Sequence, residues 1–245
     1  MVQAAQRASV RGPTFIRLLA RMTDVGVTPT QQSLSQRLSQ WLDWTHSIAL
    51  STALDGRPAA ADGAASSSVS AEEEECAHAR ATLTATITGD GIGVSASASG
   101  QIPAIEAGAD GTVDYAPFRQ RYLSMQRSMQ SATGRLRGRL RDRLAEGTAD
   151  MARLAAVDAV MERALSPREH TLLATVPTVL GEHFERLRQA GDNTVADAPA
   201  SPDTPAAASR AWLDVFRRDM QSVLLAELDL RFQPVDGLLA ALRTR

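Results

Sequence analysis

Apolar side chains recur every three or four residues along most of the 245-residue chain, a spacing that predicts amphipathic helices rather than strands. The clearest case is the stretch from residue 118 to residue 144. On a helical wheel of about 100° per residue, its apolar side chains fall in a single stripe formed by Phe118, Tyr122, Met125, Met129, Leu136 and Leu140. We therefore predict a long packing helix over residues 114–146.

Start and stop signals place further helices in the N-terminal part of the chain. Pro13 and Gly26 bound the first one, since proline suits the first turn of a helix and glycine its end. Ser70 and Glu73 have the spacing of a capping box and predict another helix from there to about residue 86. Between these two, a heptad-like spacing predicts one continuous helix over residues 30–54, with a seam formed by Leu34, Leu38, Trp41, Thr45, Ile48 and Thr52.

The C-terminal half of the chain carries comparable signals. Thr148 is expected to cap the helix that follows the long one. Ser166, with a proline next to it and a glutamate three residues later, predicts a new helix start. Pro177 is expected to kink that helix and Pro234 to break the last one, because proline removes a backbone donor and clashes with the preceding turn.

Two low-complexity stretches are too poor in apolar residues to bury a core, and we predict that they are linkers. The expected fold class is all-α, a multi-helix bundle with long heptad-like helices and two disordered linkers. A Gly- and Ser-rich stretch, residues 89–111, is expected to be a loop inside the central bundle. In chain order we expect an N-terminal helical pair (1–54), a flexible linker (55–70), a central helical bundle (71–190), a disordered linker (191–208) and C-terminal helices packing on the bundle (209–245).

The composition excludes several classes of chemistry. All 26 basic residues are arginine, so no lysine side chain can serve as a Schiff-base nucleophile, a general base or a P-loop cation. Cys76 is the only cysteine, which rules out an intramolecular disulfide and a cysteine-based zinc site. No window approaches the roughly 18 apolar residues of a membrane span, and no secretory signal is recognisable, so a cytoplasmic location is expected.

Positive charge is concentrated on the long helix. Between Tyr115 and Ala145 there are eight arginines and one acid, in a chain whose formal net charge is −2. Because guanidinium groups match carboxylates and phosphates, these arginines and some charged residues near the C-terminus form a candidate interaction surface. Its members are Arg119, Arg121, Arg127, Arg135, Arg137, Arg139, Arg141, Arg143, Glu227, Asp229 and Arg231.

This candidate surface has two interpretations. Its arginines bind an external acidic partner, or they pair with the chain's own acidic run at Glu72–Glu75. Nucleic acid is the less favoured external partner, since only 4% of residues are aromatic and the net charge is slightly acidic. The seam over residues 34–48 or the one over residues 118–136 could also pair two copies of the chain as a homodimer.

Other patterns that imitate catalytic or cofactor sites lack the context that such sites need. Glu75 and His78 have the E-x-x-H spacing of a di-iron site, but no second such pair accompanies them. Residues 91–96 imitate a dinucleotide-binding glycine motif without a βαβ pattern around it. We therefore expect no catalytic residues, no metal and no cofactor, and a metal-dependent enzyme is a distant alternative.

Four segments of the chain carry a family resemblance, namely YAPFRQRYLSMQRSMQSATGRLRGRLRDRLA, LAAVDAVMERAL, LLATVPTVLGEHFERLR and WLDVFRRDMQSVLLAELDLRFQPVDGLLAAL. They resemble an uncharacterised proteobacterial family, domain of unknown function 3348. The resemblance covers about residues 12–54 and 112–243, and it includes Pro177 and the QPVDGLLAAL ending. It implies a bacterial, cytoplasmic protein with no known activity, from gene clusters that also encode proton-channel-like and peptidoglycan-binding envelope proteins.

The residues and the resemblance together lead to one main hypothesis. The chain is expected to be a non-enzymatic helical protein that works through protein–protein interaction, as an accessory subunit of a bacterial, envelope-associated assembly. The main alternative is a nucleic-acid-binding protein that acts through the arginine-rich helix.

Overall fold

A computed structural model describes residues 13–23, 33–56, 69–89, 113–196 and 205–244 of the chain. The described residues form eight helices, α1 (Thr14–Thr23), α2 (Leu34–Trp41), α3 (Trp44–Asp55), α4 (Ser70–Gly89), α5 (Ala116–Ala145), α6 (Ala149–Leu173), α7 (Val176–Ala196) and α8 (Pro205–Arg243). The all-α fold class predicted from the sequence is confirmed. Much of the predicted linkers and loop lies outside the described residues, namely 57–68, 90–112 and 197–204.

Several helices begin and end close to where the sequence pattern predicts. The arginine-rich helix α5 is within two residues of its predicted bounds at both ends. Thr148 caps α6 as expected, because its side chain accepts the backbone N–H of Met151 at 3.3 Å. α4 begins at the predicted Ser70 and extends to Gly89, a few residues further than its pattern indicated.

The single helix predicted over residues 30–54 is wrong, since the structure has two helices there, α2 and α3. Leu42 and Asp43 have extended backbones that separate the two. The Asp43 carboxylate then caps α3 by accepting the backbone N–H of His46 at 2.8 Å. This same hydrogen bond is the largest influence that lowers the pKa of Asp43 below its ordinary value.

Pro167 and Pro177 do not act as predicted. Pro167 lies inside α6, and Pro177 is the second residue of α7. The break falls between them, where the carbonyl of Thr175 accepts two N–H groups from the first turn of α7 at 3.0 and 3.2 Å. Pro177 fits this position because first-turn N–H groups have no partner within their own helix. Burial of Ala164 and Leu173 on either side favours a continuous helix across Pro167.

Pro234 does not break the last helix, because α8 runs through it. The apolar stripe of α8 continues past the proline with four buried residues, Val235, Leu238, Leu239 and Leu242. Their burial outweighs the roughly 3 kcal/mol that a proline in a helix interior costs. α7 also extends to Ala196 and α8 begins at Pro205, so residues 191–196 and 205–208 of the predicted linker 191–208 are helical.

The chain divides into two compact units that each combine segments far apart in the sequence. Unit 1 contains Met1–Pro29, Leu83–Ser128 and Thr175–Leu230, and unit 2 contains Thr30–Thr82, Met129–Ala174 and Arg231–Arg245. In unit 1, α1 packs on α7, and in unit 2, α3 packs on α6. The division into consecutive segments made from the sequence stays a prediction.

An aromatic cluster lies at the centre of unit 1. Phe184 meets Phe216 and Trp212 edge to face, with ring centroids 5.0 and 5.1 Å apart. Gly191 allows the Trp212 ring to approach α7 closely, because a Cβ at this glycine would lie 2.5 Å from a ring atom. Tyr115 contacts Phe184 at 5.6 Å, and its burial raises the pKa of its hydroxyl to about 12.

The apolar stripes of α5 and α8 contribute many of the buried side chains of unit 2. Their buried members in this unit are Met129, Leu136, Leu140, Leu144, Phe232, Val235, Leu238, Leu239 and Leu242. Cys76 of α4 is buried in the same unit, and burial is the largest influence that raises the pKa of its thiol.

Candidate interaction surface

The apolar seam of α5 is occupied within the chain. All six residues that the sequence placed in its stripe are buried, and none is more than 6% exposed. The prediction that this segment is a packing helix is therefore confirmed. A homodimer through this seam would require the helix to leave its own core.

Two arginines of α5 are paired with acids of α6. Arg137 donates to both oxygens of Asp158, from Nε at 2.8 Å and from Nη2 at 2.6 Å. Arg141 contacts Asp158 at 3.4 Å and also pairs with Glu162. Burial alone would lower the pKa of Arg137, but the bidentate pairing with Asp158 outweighs burial and raises it.

Two further arginines of α5 are paired with the acidic run of α4. Arg143 donates from Nε to Glu72 at 2.8 Å, and this bond is the largest influence that raises the pKa of Arg143. Arg139 forms an ion pair with Glu75. The interpretation that these arginines pair with the chain's own residues Glu72–Glu75 is thus confirmed for Arg139 and Arg143.

The arginines in the first half and at the centre of α5 differ from the four near its C-terminal end, which pair with acids of other helices. Arg119, Arg127 and Arg135 are exposed, and among the described residues the last two donate to their own helix, to the carbonyl of Leu123 and the hydroxyl of Ser131 at 3.3 Å each. Exposed guanidinium groups on one helix remain available to an acidic partner. The exposed arginine part of the candidate surface is therefore reduced to Arg119, Arg127 and Arg135, apart from the paired Arg139.

Glu227 cannot contribute to a surface, because it is 0% exposed. Its carboxylate accepts the hydroxyl of Tyr122 at 2.5 Å and the side-chain amide of Gln126 at 3.1 and 3.2 Å. The side chain of Arg231 is only 8% exposed, and it lies 3.5 Å from the carboxylate of Glu169. Of the three C-terminal members of the candidate surface, only Asp229 is exposed.

α3 presents large apolar side chains to solvent. Trp44, Ile48 and Leu54 are 80%, 50% and 52% exposed. On a helical wheel they share one side of α3 with Ser47 and Ser51, which are also exposed. We name these five residues the outer face of α3. The opposite side of the helix is partly buried, as expected for the side that packs on α6.

Sequence reasoning missed the outer face of α3 because it treated residues 30–54 as one helix. In that helix Ile48 shared a seam with Trp41 and Thr45. The cap at Asp43 instead starts a new helix, on which Trp44 and Ile48 point to solvent. The signal that could have found this face is an aspartate cap followed by twelve residues without arginine or glutamate.

A family model described as Protein of unknown function (DUF3348) matches residues 1–244. The chain belongs to this family. No curated protein and no solved structure matches it. The family description assigns no activity, so a function for this member has to be argued from its own residues.

The described part of this DUF3348 member has neither a cluster of metal ligands nor a membrane-spanning helix. Within it, no group of three or more His, Cys, Asp or Glu side chains is placed to hold a metal ion. In the E-x-x-H pair, Glu75 is engaged by Arg139 and His78 is exposed. Among the described helices, none is both long and apolar enough to cross a membrane.

Proposed function

We propose that this chain is a non-enzymatic helical interaction protein that contacts its protein partner through the outer face of α3. More specifically, we propose that it is a cytoplasmic accessory subunit of a bacterial, envelope-associated assembly. The observation that carries the proposal is the 80% exposure of Trp44 beside the half-exposed Ile48 and Leu54. Single exposed apolar residues are common, but three large ones on one side of a short helix are typical of a contact surface.

The energetics favour this face as a binding site. Burying apolar surface contributes about 25 cal/mol per Å², and a large aromatic side chain buries about 150–250 Å². Trp44 alone would therefore contribute roughly 3 kcal/mol on binding, and the exposed halves of Ile48 and Leu54 about 1 kcal/mol each. Tryptophan is also the residue type most enriched among the energetic centres of protein interfaces.

The charge distribution supports a protein partner over nucleic acid. Four of the eight arginines of α5 are neutralised by acids of α4 and α6, which removes much of the basic surface that a phosphate backbone would need. The outer face of α3 carries no basic residue at all. Its chemistry suits an apolar surface of another protein.

Affinity capture with matched variants tests the proposal. The full chain and its Trp44→Glu and Ile48→Glu variants are used as baits, with Leu172→Glu as the control, because Leu172 is 67% exposed on α6. Circular dichroism first establishes that all four proteins are equally helical. We expect a partner that the wild type and Leu172→Glu retain and that both α3 variants lose.

Two results would overturn the proposal. One is a set of captured proteins that is the same for the α3 variants and the control. The other is capture of no protein by the wild type above a mock bait.

A further inference from the structure

We infer that residues 70–82, the acidic half of α4, occupy an acid-binding site formed by Arg139 and Arg143 of α5 and Arg243 of α8. When this half of α4 detaches, an acidic segment of a partner protein takes its place. We name the three arginines the arginine site. The inference goes beyond the proposed function, because it concerns a second surface and a regulation in which the outer face of α3 takes no part.

The acidic half of α4 is attached to unit 2 through charges. Three of its glutamates pair with the arginine site, namely Glu72 with Arg143 at 2.8 Å, Glu73 with Arg243 at 2.5 Å, and Glu75 with Arg139. A fourth pair joins Arg80 of α4 to Asp236 of α8 at 2.6 Å. All of these residues belong to unit 2. The carboxylates of α4 thus fill a site whose charge and hydrogen-bond donors match carboxylates.

Apolar contacts add little to this attachment. Cys76 is the one buried side chain of residues 70–82, all of which the structure describes. By comparison, α5 buries four large side chains in unit 2, Met129, Leu136, Leu140 and Leu144. Because the hydrophobic effect scales with the apolar area buried, one small side chain holds a helix only weakly. The acidic half of α4 can therefore detach without opening the core.

Two of the three glutamate–arginine pairs are exposed enough for salt to weaken them. The side chains that form the Glu73–Arg243 and Glu75–Arg139 pairs are between 39% and 57% exposed. Exposed ion pairs each contribute little to stability, and dissolved salt screens them. We therefore expect the attachment of α4 to weaken as the ionic strength rises.

The third pair is more buried, but its hydrogen bonding is incomplete. Oε1 of Glu72 accepts from Arg143, whereas Oε2 is buried and accepts no hydrogen bond from the described residues. A buried acceptor without a donor opposes burial of the group. Arg143 also donates to Glu146 at 2.7 Å, so it keeps a carboxylate when Glu72 leaves. Both features favour a separable contact.

The residues of α4 define the kind of partner that fits the arginine site. Glu72 and Glu75 are three residues apart on α4, and Arg139 and Arg143 are four apart on α5, so each helix presents its charges from one side. Cys76 adds a small apolar side chain that is buried beside these charges. A phosphate backbone carries no such apolar group. The site therefore favours an acidic protein segment over nucleic acid.

The single cysteine of the chain reports detachment, because a thiol reagent reaches Cys76 when this half of α4 opens. Glu75→Gln and Arg139→Gln each remove one pair and should raise the reaction rate about threefold to fivefold. Glu74→Gln is the matched control, since Glu74 contacts Ser70 of its own helix, and should change the rate less than about twofold. A chain that carries both Glu75→Arg and Arg139→Glu should regain the wild-type rate.

These substitutions avoid the groups that set the ionisation of the thiol. Burial is the largest influence that raises the pKa of Cys76, and the neighbouring charges that shift it are those of Asp236, Arg80 and Glu72. Hydrogen exchange followed by mass spectrometry gives a second readout that does not depend on the thiol. Between about 0.05 and about 1 M NaCl, exchange of residues 70–82 should rise at least about threefold, while residues 129–144 of α5 stay unchanged.

A labelled peptide that copies residues 69–83, with Cys76→Ser, probes the arginine site itself by fluorescence anisotropy. It should bind the Glu75→Gln chain more tightly than the wild type, by the same factor as the rise in thiol reactivity, because the open fraction sets both. A peptide whose four glutamates are replaced by glutamine should bind the Glu75→Gln chain at least about tenfold more weakly. A chain with both Arg139→Gln and Arg143→Gln should bind the original peptide with a similar loss.

The opposite results decide against the inference. Equal effects of Glu74→Gln and Glu75→Gln on Cys76 overturn the detachment, as does exchange of residues 70–82 that salt leaves unchanged. A peptide that gains no affinity from Glu75→Gln shows that the arginine site binds no external acid. If single-stranded DNA gains affinity from that variant and the peptide does not, the site takes phosphates and a protein partner is wrong. None of these measurements involves α3, so their failure leaves the proposed function standing.

Discussion

The change Asp158→Asn tests whether the arginines of α5 serve the fold or an external partner. Asp158 accepts two hydrogen bonds from Arg137 and a third contact from Arg141, and its side chain is only 14% exposed. An asparagine keeps the shape of the side chain but removes the charge and one acceptor. Among the described residues, Glu162 is then the carboxylate left within 4 Å of the two guanidinium groups, 3.6 Å from Arg137.

The expected cost follows from the exposure of the pair. Hydrogen bonds to charged groups contribute about 1.5–3 kcal/mol, and breaking a fully buried pair costs about 3–5 kcal/mol. With Arg137 at 15% exposure and Glu162 still in place, we expect a loss of about 2 kcal/mol in the free energy of unfolding. At a urea slope of about 2–3 kcal/mol/M, the midpoint should fall by about 0.7–1 M.

Urea unfolding followed by circular dichroism measures this change, with Asp150→Asn as the matched control. Asp150 also pairs with an arginine, Arg153, but it is 89% exposed, and such surface pairs contribute little. The control should therefore shift the midpoint by less than about 0.2 M. Equal shifts for the two variants would refute the reasoning that burial makes the α5–α6 pairs structural.

Three further predictions follow from the packing of the chain. Gly191→Ala should lower the free energy of unfolding by about 1–3 kcal/mol, because its Cβ would meet the Trp212 ring. Gly138→Ala should raise it by about 0.5–1 kcal/mol, because nothing lies within 4 Å of its Cβ and alanine favours the helix. Urea unfolding of the two variants measures both changes. Tyr115 has a pKa raised from 10.0 to about 12, so its contribution to stability is present below pH 10 and is lost as the pH rises towards 12. The unfolding midpoints of the wild type and Tyr115→Phe should therefore converge over that pH range. A difference between the midpoints that stays constant would contradict this. Cys76 should react with a thiol reagent far more slowly in the native chain than in urea, because it is buried and its pKa is raised; equal rates would show that α4 leaves it open.

The sequence predicts the bounds of α5 and the start of α6 well, because their signals are local. The stripe of α5 extends over many turns, and the Thr148 cap is decided by residues within one turn. The prolines show where local signals fail. Pro167 looks like the start of a new helix and Pro234 like a helix breaker, yet buried neighbours such as Leu173 and Phe232 hold both in continuous helices.

The candidate surface could be predicted only in part. Its arginines and the acids of α4 were visible in the sequence, but which guanidinium meets which carboxylate depends on the packing of helices. Arg137 could not be assigned to Asp158 from spacing, since the two are on different helices. The burial of Glu227 beside Tyr122 is a property of the folded unit, and no local pattern distinguishes it from an exposed glutamate.

Hydroxyl-radical footprinting of the native chain tests the central claim most directly, because it reads the exposure of Trp44 without any substitution. Oxidation of Trp44 and Leu172 is measured by mass spectrometry in the free monomer and in the associated or captured state. We predict that Trp44, 80% exposed in the monomer, is protected at least about fivefold, while Leu172 is unchanged. Equal oxidation of Trp44 in both states would contradict the claim that the outer face of α3 is a contact surface.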